Sequence, residues 1–100
     1  MKAALSPLAR RELLAAARWI AGDSPTAARR LIAAVDEARV LIAEQPEIGR
    51  IREDLTPLPM RFLLLRDFSY VIAYRPDVKP GRIVRVIHAS RDLPAALRSP

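Results

Sequence analysis

The sequence contains no cysteine and a single histidine, His88. Neither a disulfide framework nor a Cys/His zinc site can therefore be built within one chain, and no metal is expected. Its three glycines, Gly22, Gly49 and Gly81, are scattered. There is no phosphate-cradling loop and no dinucleotide fingerprint, so no nucleotide cofactor is expected. Residues 1–10 lack the apolar stretch of about seven residues that a signal peptide needs, and no run approaches the roughly 18 apolar residues of a membrane span. The expectation is a cytoplasmic protein. Lysine is also scarce, with only Lys2 and Lys79 among 17 basic residues.

The other 15 are arginines, and the net charge is +6. Arginine pairs with planar anions in a bidentate way and stacks on flat groups, so the surface suits carboxylates, phosphates or nucleic acid. The excess leans toward the C-terminal half: residues 1–50 hold 8 basic and 6 acidic side chains, and residues 51–100 hold 9 and 5. Hydrophobic residues make up 51% of the chain, enough for collapse despite nine prolines. A length of 100 residues accommodates one domain, 1–100.

The order of elements is legible from period and punctuation. Lys2 to Leu5 reads as a short first strand. Ser6-Pro7 then starts a helix, with serine as cap and proline at the first helical position. Ala9, Leu13, Ala16, Ala17 and Ile20 form its buried stripe. Gly22-Asp23 ends it, and Ser24-Pro25 starts a second helix whose stripe is Ala28, Leu31, Ile32, Val35, Ala38 and Ile42. Pro46 forces a stop near Gln45. Residues 50–59, rich in charge and proline, read as a surface connection. From Met60 the period becomes two, and runs 61–65, 70–74 and 83–87 read as a three-stranded antiparallel meander. Leu93 to Leu97 adds a short terminal helix. The fold class is α+β, ordered β-α-α-β-β-β, with a helical hairpin packed on the sheet.

Chemistry-bearing residues are few. His88, Ser90 and Asp92 lie too close along a strand end to face one another as a hydrolytic triad, and no catalytic residue is assigned. Arg85, His88 and Arg91 cluster around the end of the last strand, with Arg61 on an earlier one. Strict alternation would point Arg85 and His88 to opposite faces. The plainer readings are a partly buried His88 bonded to backbone, an Arg91 paired with Asp92 or capping a helix, Tyr70 and Tyr74 in the core, and Trp19 at the core edge.

The residues Leu5-Ser6-Pro7-x-Ala9, Ala27-Ala28 after Pro25, Pro46-x-x-Gly49-Arg50, Arg61, Tyr70-x-Ile72-x-Tyr74 and Ile83-x-Arg85-Val86-x-His88-x-x-Arg91-Asp92 occur in register with this element order. Together they resemble the ParE branch of the ParE/RelE toxin superfamily over nearly the whole chain. The resemblance implies a toxin of a type II toxin-antitoxin pair that inhibits DNA gyrase, arrests growth and is neutralised by a ParD-like antitoxin in a hetero-oligomer. It also implies a protein without enzymatic activity. Target contact is expected at Arg61, Arg85, His88 and Arg91, and antitoxin contact at Arg11, Arg18, Trp19 and Arg29. The RelE branch instead cuts messenger RNA on the ribosome, and an endoribonuclease or an inactive antitoxin-binding member are the alternative readings. Where those nucleases typically carry an arginine after the tyrosine that follows the hairpin turn, this chain has Val71; where they carry a tyrosine on the terminal helix, it has Leu97.

Overall fold

Ser6 and Ser24 each stand one residue before a proline, and each caps a helix. In the computed structural model, which describes residues 1–98, Ser6 Oγ accepts from the Ala9 N–H at 3.0 Å and Ser24 Oγ from the Ala27 N–H at 3.1 Å. Proline is pre-set for the first helical position and gives up an N–H that would have no partner there. The helices so begun are α1 (Pro7–Ala21) and α2 (Pro25–Glu44). A first strand, β1 (Ala4–Leu5), precedes them; β2 (Arg50–Ile51), β3 (Arg61–Leu65), β4 (Tyr70–Arg75), β5 (Arg82–His88) and α3 (Leu93–Arg98) follow.

The five strands form one sheet in the order β1-β5-β4-β3-β2, with β1 parallel to β5 and the other pairs antiparallel. The α+β class and the hairpin-on-sheet order are those expected. Two boundaries differ. Residues Arg50 and Ile51, assigned from sequence to a surface connection, pair with Phe62 and Arg61 as an edge strand; two residues are too few to leave a period in the sequence. The first strand is shorter than Lys2–Leu5 because Ala3 is tied to α2 instead, its N–H donating to Arg39 O at 2.9 Å and its carbonyl accepting from Arg39 Nε at 2.7 Å.

The sheet carries apolar side chains on both faces. Ala9, Leu13 and Ala16 of α1 and Leu31, Val35, Ala38 and Ile42 of α2 pack on Ile72, Tyr74, Ile83 and Val86. A smaller cluster of Met60, Phe62 and Ala73 is covered by Leu55, Val71, Val84 and Leu97. Two stripe assignments need correction. Ile32 is 43% exposed and Trp19, expected at the core edge, is 82% exposed. Both sit on helix flanks, turned away from the sheet by their helical angle.

One polar clamp holds the exit of α2 against the sheet. Tyr74 is fully buried, yet its hydroxyl donates to Pro46 O at 2.6 Å and accepts from the Gly49 N–H at 2.8 Å. A Cβ at Gly49 would lie 2.7 Å from Tyr74 Cε1, so the approach requires glycine. Arg61 closes the turn from outside, with Nη1 donating to Gly49 O at 2.9 Å and Glu47 O at 3.3 Å.

Removing the Tyr74 hydroxyl leaves Gly49 N–H and Pro46 C=O without their partner. Tyr74→Phe is therefore expected to lose about 1–3 kcal/mol, read as a lowered Tm; an unchanged Tm would refute the clamp. Burial pushes the Tyr74 phenol above its ordinary value, against the opposing pull of the Gly49 N–H and the Arg61 charge. The sign follows. A raised folded value means stability that is fully present below the ordinary tyrosine value of about 10 and lost as pH rises through the folded value. The parent protein should accordingly lose more stability than Tyr74→Phe on going from roughly pH 9 to pH 11, as measured by urea denaturation.

Candidate functional site

With about 100° between successive residues, α1 has four distinct sides. Its core stripe faces the sheet. One flank carries Arg10 and Leu14, the other Glu12, Ala15 and Trp19, and the crest between them carries the exposed Arg11 and Arg18. Each flank borders a groove.

The first groove, of about 390 Å³, runs between α1 and α2. Leu13, Leu14, Ile32 and Ala33 form its apolar floor, and Arg10, Arg29 and Arg39 stand on its rim. Leu14 and Ile32 are 45% and 43% exposed there. The one carboxylate on this rim is already neutralised: Asp36 pairs with Lys2 at 2.9 Å and Arg39 at 3.3 Å. The Lys2 hydrogen bond above all, helped by the charges of Lys2 and Arg39, holds that carboxyl below its ordinary value against the opposing effect of desolvation. Arg10 and Arg29 are left as the uncompensated charges of the groove.

The second groove, of about 260 Å³, lies between α1 and the end of β5. Ala15 and Ala16 keep its floor low, and Trp19, Tyr70, His88 and Arg91 surround it. Tyr70 and His88 are cross-strand partners whose rings meet edge to face, with centroids 5.0 Å apart. The Ser90 N–H donates to His88 Nδ1 at 3.1 Å, and Ser90 Oγ lies 2.7 Å from the same atom. Nδ1 thus needs its lone pair, which assigns the ring proton to Nε2. Among the described residues Nε2 has no partner, so it is free to donate. Arg91 is exposed, and its side chain pairs with nothing among the described residues. Asp92 instead caps α3, Oδ1 accepting from the Ala95 N–H at 3.3 Å.

The wall between α1 and β5 is built by Glu12. β1 pairs only with Arg82 and Ile83, so farther along β5 no strand lies on the outer side and side chains take over. Ser6 Oγ donates to Val84 O at 3.0 Å, and Glu12 Oε1 accepts from the Val86 N–H at 3.0 Å. The same carboxylate holds Arg85, whose Nη2 lies 2.8 Å from Oε2 and whose Nη1 donates to Ala96 O at 2.6 Å. Both side chains are mostly buried, 12% exposed for Arg85 and 15% for Glu12.

These contacts sort the residues singled out from sequence. His88 and Arg91 share a groove, and Trp19 joins them there. Arg85 and His88 face opposite sides of the sheet, as alternation requires: residues 85–88 pair in unbroken register with 73–70, Arg85 opposite Ala73 and His88 opposite Tyr70. A bulge opposite Ala73 and Tyr74 inserts Val84 as an extra residue, which puts Ile83 on the face of Val86, and Arg85 still reaches Glu12 of the helix that also lines the His88 groove. Arg61 is not brought into this group: it pairs with Tyr74, while His88 pairs with Tyr70, four residues along β4 or about 13 Å away. Of the residues expected to meet an antitoxin, Arg29 lines the first groove, Trp19 the second, and Arg11 and Arg18 the crest between. Sequence reasoning overlooked Glu12. Its signal is that it is the sole carboxylate of α1, complementary to an arginine set in an apolar strand. Among the described residues no group of His, Asp and Glu is arranged to hold a metal ion, and no helix is long and apolar enough to cross a membrane.

The chain is thus a helical hairpin laid on a small, mostly antiparallel sheet, with arginine-rimmed grooves on both flanks of α1. The family model described as ParE toxin of type II toxin-antitoxin system, parDE, matches residues 3–93, and the chain belongs to that family. It is the toxin component of such a pair, and the family implies an antitoxin partner. No curated protein matches the chain.

The Glu12–Arg85 pair should behave as a unit. Glu12→Ala and Arg85→Ala are each expected to lose about 3 kcal/mol, since each leaves a buried charge uncompensated. The double variant should lose clearly less than the sum in urea denaturation. Simple additivity would show that the two side chains do not stabilise each other.

Proposed function

We propose that this toxin is neutralised by a ParD-like antitoxin whose acidic, amphipathic tail lies in the α1–α2 groove, and that it arrests growth by inhibiting DNA gyrase rather than by cutting messenger RNA. The observation that carries the partner is the first groove itself. An apolar floor of Leu13, Leu14, Ile32 and Ala33 under Arg10 and Arg29 fits a helix with apolar residues on one side and carboxylates along its edges. A tail of that composition is disordered when free and folds on the toxin.

The opposite face of the sheet favours the gyrase reading over the nuclease one. Val71 and Leu97, the positions where RelE-type nucleases carry arginine and tyrosine, both pack into the Met60–Phe62–Ala73 cluster. The groove over this face is lined by Leu55, Phe62, Leu64, Val71 and Leu93 with Arg50 and Arg52 at its rim. Arg52 is tied to Asp54 at 2.6 Å. Among the described residues no histidine, tyrosine or carboxylate lines that groove to take a proton from a 2′-hydroxyl, and phosphoryl transfer needs a positioned base as well as positive charge.

Ile32→Asp tests the partner. The residue is half exposed, so the fold should persist while affinity for the antitoxin tail falls about ten-fold or more. The parent affinity should weaken with added salt, and binding should add helix by circular dichroism. Full-strength binding by Ile32→Asp would remove the groove from the interface. For the target, cells expressing the toxin alone should filament and induce the DNA-damage response while protein synthesis continues through the first minutes. A collapse of translation ahead of DNA synthesis would overturn the gyrase reading.

A further inference from the structure

We infer that the second groove, between α1 and the end of β5, binds an unpaired nucleotide of single-stranded nucleic acid, with the base stacked on Trp19 and a flanking phosphate held by Arg91. Three observations converge on this chemistry. Trp19 is a large flat ring standing 82% exposed at the mouth of a groove. Its indole face therefore meets water and is available for stacking. Ala15 and Ala16 beside it leave a slot rather than a filled surface.

The free polar groups of the groove are, apart from the Tyr70 hydroxyl, hydrogen-bond donors. Glu12, its one carboxylate, is occupied by Arg85 and the Val86 N–H. What is left is the Arg91 guanidinium, the Nε2–H of His88 and the indole N–H of Trp19. The ligand must therefore present anionic or carbonyl oxygens next to a flat face. Arg11 and Arg18 on the adjoining crest extend the positive field along the path a flanking backbone would take.

The second groove is the smaller of the two, about 260 Å³ against about 390 Å³, and suits one flat group better than a helix about 10 Å across. Duplex DNA offers no unstacked base face to Trp19, so the groove should discriminate single from double strands. Stacking is sequence-tolerant, because every base has a π-face; the four homopolymers should differ only modestly. The inference is independent of gyrase being the target, since it rests on the groove's own chemistry.

Trp19 is the chain's sole tryptophan, which makes its fluorescence a reporter of this groove alone. Titrating the full-length toxin at low salt with a short oligothymidylate should quench Trp19 emission saturably. The same length of duplex should leave it nearly unchanged. In anisotropy measurements with a labelled single strand, Trp19→Ala and Arg91→Ala should each weaken binding about ten-fold. Arg10→Ala, in the other groove, should weaken it by no more than two-fold, the share of a non-specific charge. His88→Gln, which keeps a donor, should bind better than His88→Ala. Quenching by duplex as strong as by single strand, an Arg91→Ala variant with parent affinity, or quenching by an acidic peptide but not by oligonucleotide would each overturn the assignment. Failure here would leave the antitoxin groove untouched, because Ile32→Asp reads the other flank of α1.

Discussion

The rotation of α1 about its own axis decides what this molecule can present, and the Glu12 carboxylate fixes that rotation. Oε1 takes the Val86 N–H and both oxygens take Arg85, so one side chain joins the middle of α1 to the strand at the point where β1 no longer covers it. Apolar packing of Ala9, Leu13 and Ala16 alone would tolerate some rolling, since small side chains give few interlocking contacts. A pair of charge-assisted bonds to a mostly buried guanidinium does not, because a turn of the helix would strand a charge in the interior. With Glu12 pinned, Leu14 necessarily opens toward Ile32 on one flank and Trp19 stands over His88 on the other.

Much of this was readable in the sequence where the signal is local. Ser-Pro punctuation located both helix starts, since the capping oxygen and the proline ring act within three residues of each other. The two-residue period located β3 to β5, because those strands are long enough to repeat. The signal failed where the cause is tertiary. β2 exists because Gly49 is clamped by Tyr74 beside β3, and two residues cannot carry a period. Trp19 reads from sequence as a core-edge residue, yet its angle on α1 matches that of Glu12 and Ala15 and leaves it 82% exposed. The alternation rule holds for Arg85 and His88, because the inserted Val84 lies before Arg85 and leaves the register of residues 85–88 regular.

Several residues that carry the family resemblance turn out to serve the fold. Pro46, Gly49, Arg61 and Tyr74 form one hydrogen-bonded clamp at the exit of α2. Ser6 caps α1 and ties it to Val84. Arg85 is consumed by Glu12. A pattern made of such residues identifies the scaffold and says little about what the scaffold touches, since the side chains that recur are satisfied internally. The arginine at Arg61 illustrates the point: a cation on a strand suggests an anion to bind, but two carbonyl oxygens of the 46–50 turn already occupy Nη1.

The residues left unsatisfied are therefore the informative ones, and they are distributed unevenly. The outer sheet face is largely closed by apolar side chains, with Leu97 of α3 lying in the cluster with Phe62. The helix-bearing side instead exposes Arg10 and Arg29 over an apolar trough, and Arg91, His88 Nε2 and Trp19 around a short slot. These two surfaces share α1 as a common wall, separated only by the Arg11–Arg18 crest. A helix seated in the trough would bring its acidic edge against that crest and lower the positive potential over the neighbouring slot, within about one Debye length of 8 Å at physiological salt. On the proposed reading, an antitoxin helix on one flank of α1 would thereby weaken anion binding at the other through charge alone.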